Sequence, residues 1–211
     1  MSEYEICRVV VGTLSTNCYI IKRKDNGNAC VIDPGDNLTL IQDALHRMDA
    51  KCRLILLTHG HFDHFLAAGD LRSERAPLCI HSADAHSLTE RDMFSPLIPY
   101  DPRPFEEADF VFDKEDSYSV AGFDFYVFHT PGHTKGSVCY LFEDNLFTGD
   151  TLFNGGIGTL DFGGDAEDMR ASLQMLCRLP GDYTIYPGHD EKTTLSDEKD
   201  FNPFLQEFKR R

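Results

Sequence analysis

Apolar residues recur along this chain mainly in short runs bounded by turn residues such as Gly, Pro, Asn and Asp. Ten of these runs predict β-strands, at 6–12, 18–22, 29–33, 53–57, 77–80, 117–120, 123–129, 137–142, 145–148 and 183–186. Helical patterning, clearest at Leu38, Ile41, Leu45 and Met48, predicts helices at 37–49, 63–74, 82–90, 166–179 and 200–209, the first capped by Asp36 or Asn37. Strands in two groups, each followed by helices, predict an α+β fold in which two sheets pack together with helices outside.

The segment 91–107 breaks this pattern. It contains Pro96, Pro99, Pro102 and Pro104 and has little periodicity, so it is predicted to be a long loop. Loops of this length are often lids or binding walls, and a tolerated insertion is the alternative. The chain has no internal repeat and no low-complexity segment, and its 211 residues suit one large domain or two half-domains.

The formal net charge of −15 repels phosphate backbones and acidic membrane surfaces. We therefore expect no nucleic-acid substrate and no membrane partner, although solubility alone is the commoner reason for such a charge. The N-terminal residues lack the features of a secretory signal, and no apolar run is long enough for a membrane span. Seven cysteines without a C-x-x-C pair predict reduced, mostly buried thiols and hence a cytoplasmic location.

The densest chemistry lies in 58–64, which reads Thr-His-Gly-His-Phe-Asp-His and directly follows the buried strand predicted at 53–57. Imidazole and carboxylate are the ligands that borderline divalent metals take. A strand end followed by a Gly-containing turn can bring such side chains into one volume. The alternative is a cluster of surface histidines, but the position of the motif directly after an apolar strand disfavours that interpretation.

Four further motifs each follow a predicted strand with a tight Gly turn, at 129–134, 147–151, 186–189 and, more weakly, 31–35. Alone, a His or Asp in such a turn is usually structural. Together with 58–64, the first three turns supply five imidazoles and two carboxylates: His59, His61, Asp63, His64, His133, Asp150 and His189. Seven ligands exceed the needs of one tetrahedral metal and fit two, with terminal ligands on each and one bridging carboxylate.

The ordered set T-H-G-H-x-D-H, P-G-H-T, T-G-D-T-L-F and P-G-H resembles the metallo-β-lactamase superfamily, and most closely its short glyoxalase II-like members. The turn 156–158 and the Asn202-Pro203-Phe204-Leu205 segment support that subgroup. The resemblance covers 1–211 as one domain and implies an αββα sandwich with the metals at one edge. About 20 residues follow His189, so the helical glutathione-binding domain of full-length glyoxalase II is expected to be absent.

The resemblance also implies the ligand roles. His59, His61 and His133 would hold one metal, Asp63, His64 and His189 the second, and Asp150 would bridge the two. Zinc is the expected metal, with iron or manganese as alternatives. Asp33 is expected to form hydrogen bonds beneath the site without binding metal. The other histidines match no ligand position, and among them His129 is the candidate for a supporting contact.

The implied activity is hydrolysis of S-lactoylglutathione or a related small thioester by a hydroxide shared between the metals, which Asp63 would orient. One alternative is a persulfide dioxygenase, in which His59, His133 and Asp150 would hold a single iron. A second is a lactonase, with Phe94, Leu97, Ile98 and Tyr100 as an apolar wall.

The sequence departs from the family pattern after the 156–158 turn, where Thr159 stands in place of an arginine that relatives often carry. Asp161, two residues on, is retained. The usual contact for an anionic substrate tail is therefore missing from this turn. Lys135 or Arg103 could take its place, although solvation at the surface is the commoner role for each.

Overall fold

The computed structural model of the protein describes residues 2–90 and 107–210, and within these ranges twelve strands form two six-stranded sheets. The first sheet runs in chain order and contains β1 Tyr4–Val11, β2 Thr16–Arg23, β3 Asn28–Ile32, β4 Lys51–Leu56, β5 Leu78–His81 and β6 Phe110–Phe112. The second contains β7 Asp116–Val120, β8 Phe123–His129, β9 Val138–Phe142, β10 Asn145–Gly149, β11 Thr184–Pro187 and β12 Thr193–Thr194. Strands β1 to β3 pair antiparallel, as do strands β7 to β10. The pairing is parallel from β3 to β6 and between β10 and β11.

Helices cover the outer face of each sheet. The helices are α1 Leu38–Arg47, α2 Ala68–Leu71, α3 Ala166–Cys177 and α4 Leu195–Phe201, with 3-10 segments at Phe62–His64, Ser82–Leu88 and Gln206–Arg210. Apolar residues of α1 and α2 pack on the first sheet, and those of α3 and α4 on the second. The predicted αββα sandwich is therefore confirmed.

The alternation of side chains along the central strands explains why both faces are covered. In β4, Leu54 and Leu56 face the core between the sheets, while Ile55 faces the helical side. In β9, Tyr140 faces the same core and Cys139 faces α3. The core between the sheets is rich in aromatic rings, several of them in edge-to-face contact.

Hydrogen bonds join the two sheets along one edge of the sandwich. The Val138 amide donates to the Thr58 carbonyl at 2.8 Å, and the Asn17 amide donates to the Gly188 carbonyl at 2.7 Å. The buried hydroxyl of Tyr140 donates to the Leu57 carbonyl at 2.7 Å, and that of Tyr19 donates to Pro187 at 2.7 Å. These bonds join the carboxyl ends of β4 and β11 to β9 and β2 of the opposite sheet.

The helix predicted at 63–74 is wrong for most of its length. The chain instead forms the 3-10 turn Phe62–His64 and then the four-residue α2. In a regular helix the Ala67 amide would donate to the Asp63 carbonyl, four residues earlier. Here it donates to the Pro34 carbonyl at 2.9 Å. A tight turn followed by this outside contact replaces the first turns of a regular helix.

Three further differences concern short elements and helix ends. Asn37 precedes α1 with a left-handed φ of 48°, and its side chain accepts from the Gly12 amide at 2.8 Å instead of capping the helix. The pattern missed β6 and β12, which have only three and two residues. The helix predicted at 200–209 is split: Thr194 caps α4, whose last residue is Phe201, and the chain resumes as a 3-10 segment at Gln206 beyond Pro203.

Almost all of the predicted loop 91–107 lies outside the described residues. All seven cysteines are described, and each is a free thiol; four are buried and three partly buried. No helix in the described ranges has the length and hydropathy required to cross a bilayer.

A pair of leucine truncations tests this assignment of the core. Leu54 is fully buried between the sheets, whereas Leu40 on α1 is 47% exposed. We expect Leu54→Ala to lower the free energy of unfolding by about 2–5 kcal/mol, because it leaves a cavity. Leu40→Ala should change it by no more than about 0.5 kcal/mol. Urea unfolding of both variants measures the difference, and equal losses would contradict the layer assignment.

Candidate metal centre

The seven predicted ligands come together at the edge where hydrogen bonds join the sheets. Four of them follow β4, in the segment 58–64. His133 lies in the turn between β8 and β9, Asp150 directly follows β10, and His189 lies two residues after the end of β11. Ligand atoms of three groups lie within 4.8 Å of one another: His59, His61 and His133; His59, His64 and Asp150; and Asp63, His64 and His189. The structure thus places all seven side chains in one cluster.

Several polar atoms at the centre of this cluster are buried without a hydrogen bond. Among the described residues these include Nε2 of His59, Nε2 of His64 and Oδ1 of Asp150. His59 and His64 are fully buried, and Asp150 is 8% exposed. Folded proteins rarely leave such atoms unpaired, because each loses its contact with water without compensation. A cation that binds several of these atoms at once would satisfy them.

The separations between ligand atoms fit this interpretation. Nε2 of His64 lies 3.4 Å from Oδ1 of Asp150 and 3.4 Å from Oδ2 of Asp63. Nε2 of His189 lies 3.5 Å from a carboxylate oxygen of each of the same two residues. Charged hydrogen bonds are shorter than this, at about 2.7–2.9 Å. Two ligands of a tetrahedral metal at about 2.1 Å are separated by about 3.4 Å, so the spacing suits a shared metal better than direct contact.

The buried carboxylate of Asp33 orients two of the histidines. One oxygen accepts from the Thr58 amide at 2.8 Å; the other accepts from the Thr58 hydroxyl at 2.6 Å and from Nδ1 of His64 at 2.9 Å. Since the Thr58 hydroxyl gives its proton to Asp33, its oxygen accepts from Nδ1 of His59 at 3.1 Å. Both imidazoles therefore turn an unprotonated Nε2 towards the cluster when they are neutral. Asp33 itself belongs to none of the three groups.

The turn after 156–158 orients His133. Nδ1 of His133 donates to the Thr159 carbonyl at 2.7 Å, and its Nε2 lies 2.8 Å from Nδ1 of His61. His129 supports the same turn from outside the cluster, because its Nε2 donates to the Lys135 carbonyl at 2.9 Å. His129 also stacks on His81, with ring centroids 4.2 Å apart. The contact expected of His129 is thus with the backbone of the His133 turn.

The charges in the cluster shift the pKa values of its histidines in opposite directions. Burial, and then the neighbouring imidazole of His133, lower the pKa of His61 to about 4. Burial also lowers the pKa of His64, but the carboxylates of Asp63, Asp150 and Asp33 outweigh it and raise that pKa to about 10. For Asp150, burial raises the pKa, but His64 and the other imidazoles outweigh it and hold the carboxylate ionised.

Three residues that hold this cluster were not predicted from the sequence. Thr16 is fully buried, and its hydroxyl donates to Oδ2 of Asp63 at 2.6 Å. The Asn17 amide group donates to the carbonyls on either side of the His189 turn, those of Pro187 at 2.9 Å and Asp190 at 2.8 Å. Asp84, also buried, contacts both the 58–64 and the His133 turns. For two of them the sequence held an indication, because Thr16 and Asn17 are polar residues at the start of a strand that is buried for most of its length.

Gly188 is required by the close approach of the cluster to the backbone. A Cβ atom at this position would overlap Oδ1 of Asp150 and lie 2.9 Å from Cε1 of His64. Any side chain there would displace two of the predicted ligands. This contact explains why the turn before His189 contains glycine.

Fold and cluster together define a metallo-hydrolase of the αββα type. The family model described as the metallo-β-lactamase superfamily matches residues 11–189. The chain belongs to this superfamily, whose members bind divalent metals.

Several relatives match nearly the whole chain. Hydroxyacylglutathione hydrolase GloC of Haemophilus influenzae is 32% identical over 93% of this chain and 96% of its own length. The crystal structure of the BLEG-1 B3 metallo-β-lactamase is 35% identical, with a TM-score of 0.88, and covers 95% of this chain and 99% of that one. TTHA1623 in a di-iron-bound form is 31% identical, with a TM-score of 0.82 over 94% and 100% of the two chains.

Proton release on metal binding tests the charge state of the cluster. With a pKa of about 10, His64 carries a proton on Nε2 near neutral pH in the metal-free protein. A metal bound at that atom displaces the proton, so binding near neutral pH should release at least one proton. His189 adds to the release, because burial lowers its pKa but the Asp150 carboxylate outweighs burial and raises it. The release should fall as the pH rises through about 10, where His64 is already neutral. His61, with a pKa of about 4, should contribute nothing.

Calorimetric titration of zinc in buffers of different ionisation enthalpy counts these protons. A His86→Gln variant serves as the control, because His86 is exposed and outside the cluster. It should release the same number as the wild type. Binding without proton release near neutral pH would contradict the assignment of His64.

Proposed function

We propose that this protein hydrolyses a small thioester, in the manner of glyoxalase II, with S-lactoylglutathione as the first candidate substrate. In this proposal His59, His61 and His133 hold one divalent metal, Asp63, His64 and His189 hold the second, and Asp150 bridges them. The observation that carries it is the cluster of buried, unpaired ligand atoms at metal-like spacing. The similarity to GloC over nearly the full length of both chains supports the choice of substrate.

When bound, the two metals supply a water of lowered pKa and an electrophilic contact for the carbonyl oxygen of the substrate. Zinc is proposed, because imidazole and carboxylate are its ordinary ligands; iron and manganese accept the same set. The seven ligands come from four separate turns, all at the edge where hydrogen bonds join the two sheets. This anchoring keeps the reacting groups in place without reorganisation during the reaction.

Asp63 is proposed to accept a hydrogen bond from the attacking water or hydroxide and to orient it. Its Oδ2 already accepts from the buried Thr16 hydroxyl at 2.6 Å, which fixes the plane of the carboxylate. Only 12% of the Asp63 side chain is exposed, so few waters compete for its oxygens. A carboxylate fixed in this way can orient a hydrogen-bond donor placed beside it.

The leaving group explains why no separate general acid is needed. A thiolate leaves with a pKa of about 8–9, like that of a free cysteine, and requires little protonation near neutral pH. An alkoxide leaving group would require a proton donor. The site residues named above are metal ligands or hold metal ligands, and this arrangement suits a thioester better than an ordinary ester.

We further propose that the protein works in the reducing environment of the cytoplasm. All seven cysteines are free thiols, and four of them are buried in the cores. Burial raises the pKa of the Cys139 thiol to about 12, which keeps it protonated and unreactive.

The first test is turnover of S-lactoylglutathione by the zinc-loaded protein, with Asp150→Ala and Asp144→Ala as a matched pair. Asp150 follows the end of β10 at the cluster, whereas Asp144 is exposed just before the start of the same strand. We expect the wild type and Asp144→Ala to turn over and Asp150→Ala to lose at least about 100-fold in kcat/KM together with bound metal. Full activity of Asp150→Ala with two metals retained would refute the ligand assignment.

Other outcomes point to other substrates on the same scaffold. A wild-type protein that holds two metals but does not cleave thioesters refutes the thioesterase proposal, and a lactone panel then tests cyclic esters. Oxygen uptake by a protein with one iron per chain would favour a persulfide dioxygenase, with His59, His133 and Asp150 as the ligands.

A substitution at Thr159 tests whether its turn faces the substrate. The Thr159 side chain is exposed and donates to Asp161 at 2.9 Å, while its carbonyl holds His133. Thr159→Arg places a cation beside the cluster and should lower KM for anionic thioesters by about two- to fivefold, the size expected of an exposed ion pair. The KM for a neutral thioester should not change.

Ser119→Arg, on the exposed side of the edge strand β7, provides the control for added charge. It should leave both KM values unchanged. Equal effects of Thr159→Arg on neutral and anionic thioesters would mean that this turn does not contact the charged part of the substrate.

A further inference from the structure

Asp84 is a buried carboxylate outside the seven predicted ligands, and it contacts two of the turns that carry them. It lies in the 3-10 segment Ser82–Leu88 and is 3% exposed. Oδ2 accepts from the Gly60 amide at 2.9 Å and from the Thr134 hydroxyl at 2.6 Å. Oδ1 accepts from the Gly136 amide at 2.7 Å.

These donors stand beside three ligands of a single group. Gly60 lies between His59 and His61 in the chain, and Thr134 directly follows His133. These histidines form one of the three clusters of ligand atoms. One carboxylate therefore joins the turn after β4 in the first sheet to the turn before β9 in the second.

The backbone of both turns packs closely against the Asp84 segment, so that neither Gly60 nor Gly136 has space for a side chain. A Cβ atom at Gly136 would lie 2.5 Å from Cγ of Asp84, and one at Gly60 would lie 2.7 Å from Cβ of Ser87. The Thr134 hydroxyl also contacts the Ser137 hydroxyl at 2.7 Å, which closes the His133 turn on itself. Both turns thus lie directly against the segment that carries Asp84.

We propose that Asp84 is a positioning residue that sets the distance between the His59–His61 turn and the His133 turn and so tunes the affinity of one metal site. The inference rests on the ligand roles in the proposed function. It predicts an asymmetry, because the Asp63, His64 and His189 group is held by other residues. Thr16 holds Asp63, Asp33 holds His64, and Asn17 holds the His189 turn.

Metal titration of Asp84→Asn tests the proposal without reference to any substrate. The amide retains one acceptor oxygen but presents an NH2 group to the backbone N–H of Gly60 or of Gly136, so at least one of the three hydrogen bonds is lost. We expect zinc affinity at the first site to fall by about 10- to 100-fold, with the second site changed by less than about threefold. Cadmium NMR, which gives one resonance for each metal site, should show one resonance weakened or lost and the other retained.

Glu198→Gln is the matched control. Glu198 is also 3% exposed and also accepts three hydrogen bonds, from the Gly155 amide, the Asn202 side chain and the Thr193 hydroxyl, each at 2.8 Å. None of these donors lies next to a predicted ligand in the chain. This variant should bind both metals as the wild type does, even if its stability falls. Equal losses of metal in both variants would overturn the proposal, because any buried carboxylate would then have the same effect.

Thr134→Val provides a milder variant in case Asp84→Asn does not fold. It removes one of the three hydrogen bonds and should weaken the first site in the same direction by about threefold to tenfold. Folded Asp84→Asn with wild-type affinity at both sites, or with both sites weakened equally, would refute the positioning role. Thioester turnover does not enter this readout, so failure of the proposed substrate and failure of this inference remain distinguishable.

Discussion

The cluster depends on the hydrogen bonds that the Asp33 carboxylate accepts beneath it. Two fully buried imidazoles, His59 and His64, present a ring nitrogen that has no hydrogen-bond partner among the described residues. Such atoms are costly to bury, and they keep their direction only if the opposite nitrogen is firmly held. Asp33 provides this hold directly for His64 and through the Thr58 hydroxyl for His59. Its own left-handed φ of 50° is a conformation that aspartate tolerates better than most residues.

The sandwich brings this edge together by placing loops of both sheets in mutual contact. The ligands of the first sheet follow β4, and those of the second follow β8, β10 and β11. The Thr58 carbonyl accepts from the Val138 amide, and the Gly188 carbonyl accepts from the Asn17 amide, so each sheet supports a turn of the other. A change that separates the sheets would therefore alter the cluster before it alters either sheet.

The layers and the ligand cluster were predictable from the sequence because each depends on a local pattern. Continuous apolar runs mark strands buried on both faces, and the histidine and aspartate turns follow them. The supporting residue Asp84 was not predictable, because it acts on segments distant in the chain and carries no local signature. The prediction of a helix at 63–74 was wrong for a similar reason. The Ala67 amide donates to the Pro34 carbonyl, which is more than 30 residues away in the chain.

The charge balance at the cluster bears on the proposal that an acidic chain accepts an anionic thioester. The whole chain has a formal charge of −15, which opposes the approach of an anion at long range. Salt screens that repulsion beyond about 8 Å, so the field of the centre dominates close to it. In the proposed centre, two divalent cations would balance the carboxylates of Asp33, Asp63 and Asp150 together with the shared hydroxide, which leaves the filled centre close to neutral. Affinity for the acyl end of a substrate can therefore come from the metals, while Thr159 leaves the outer turn without the cation that would hold a charged tail.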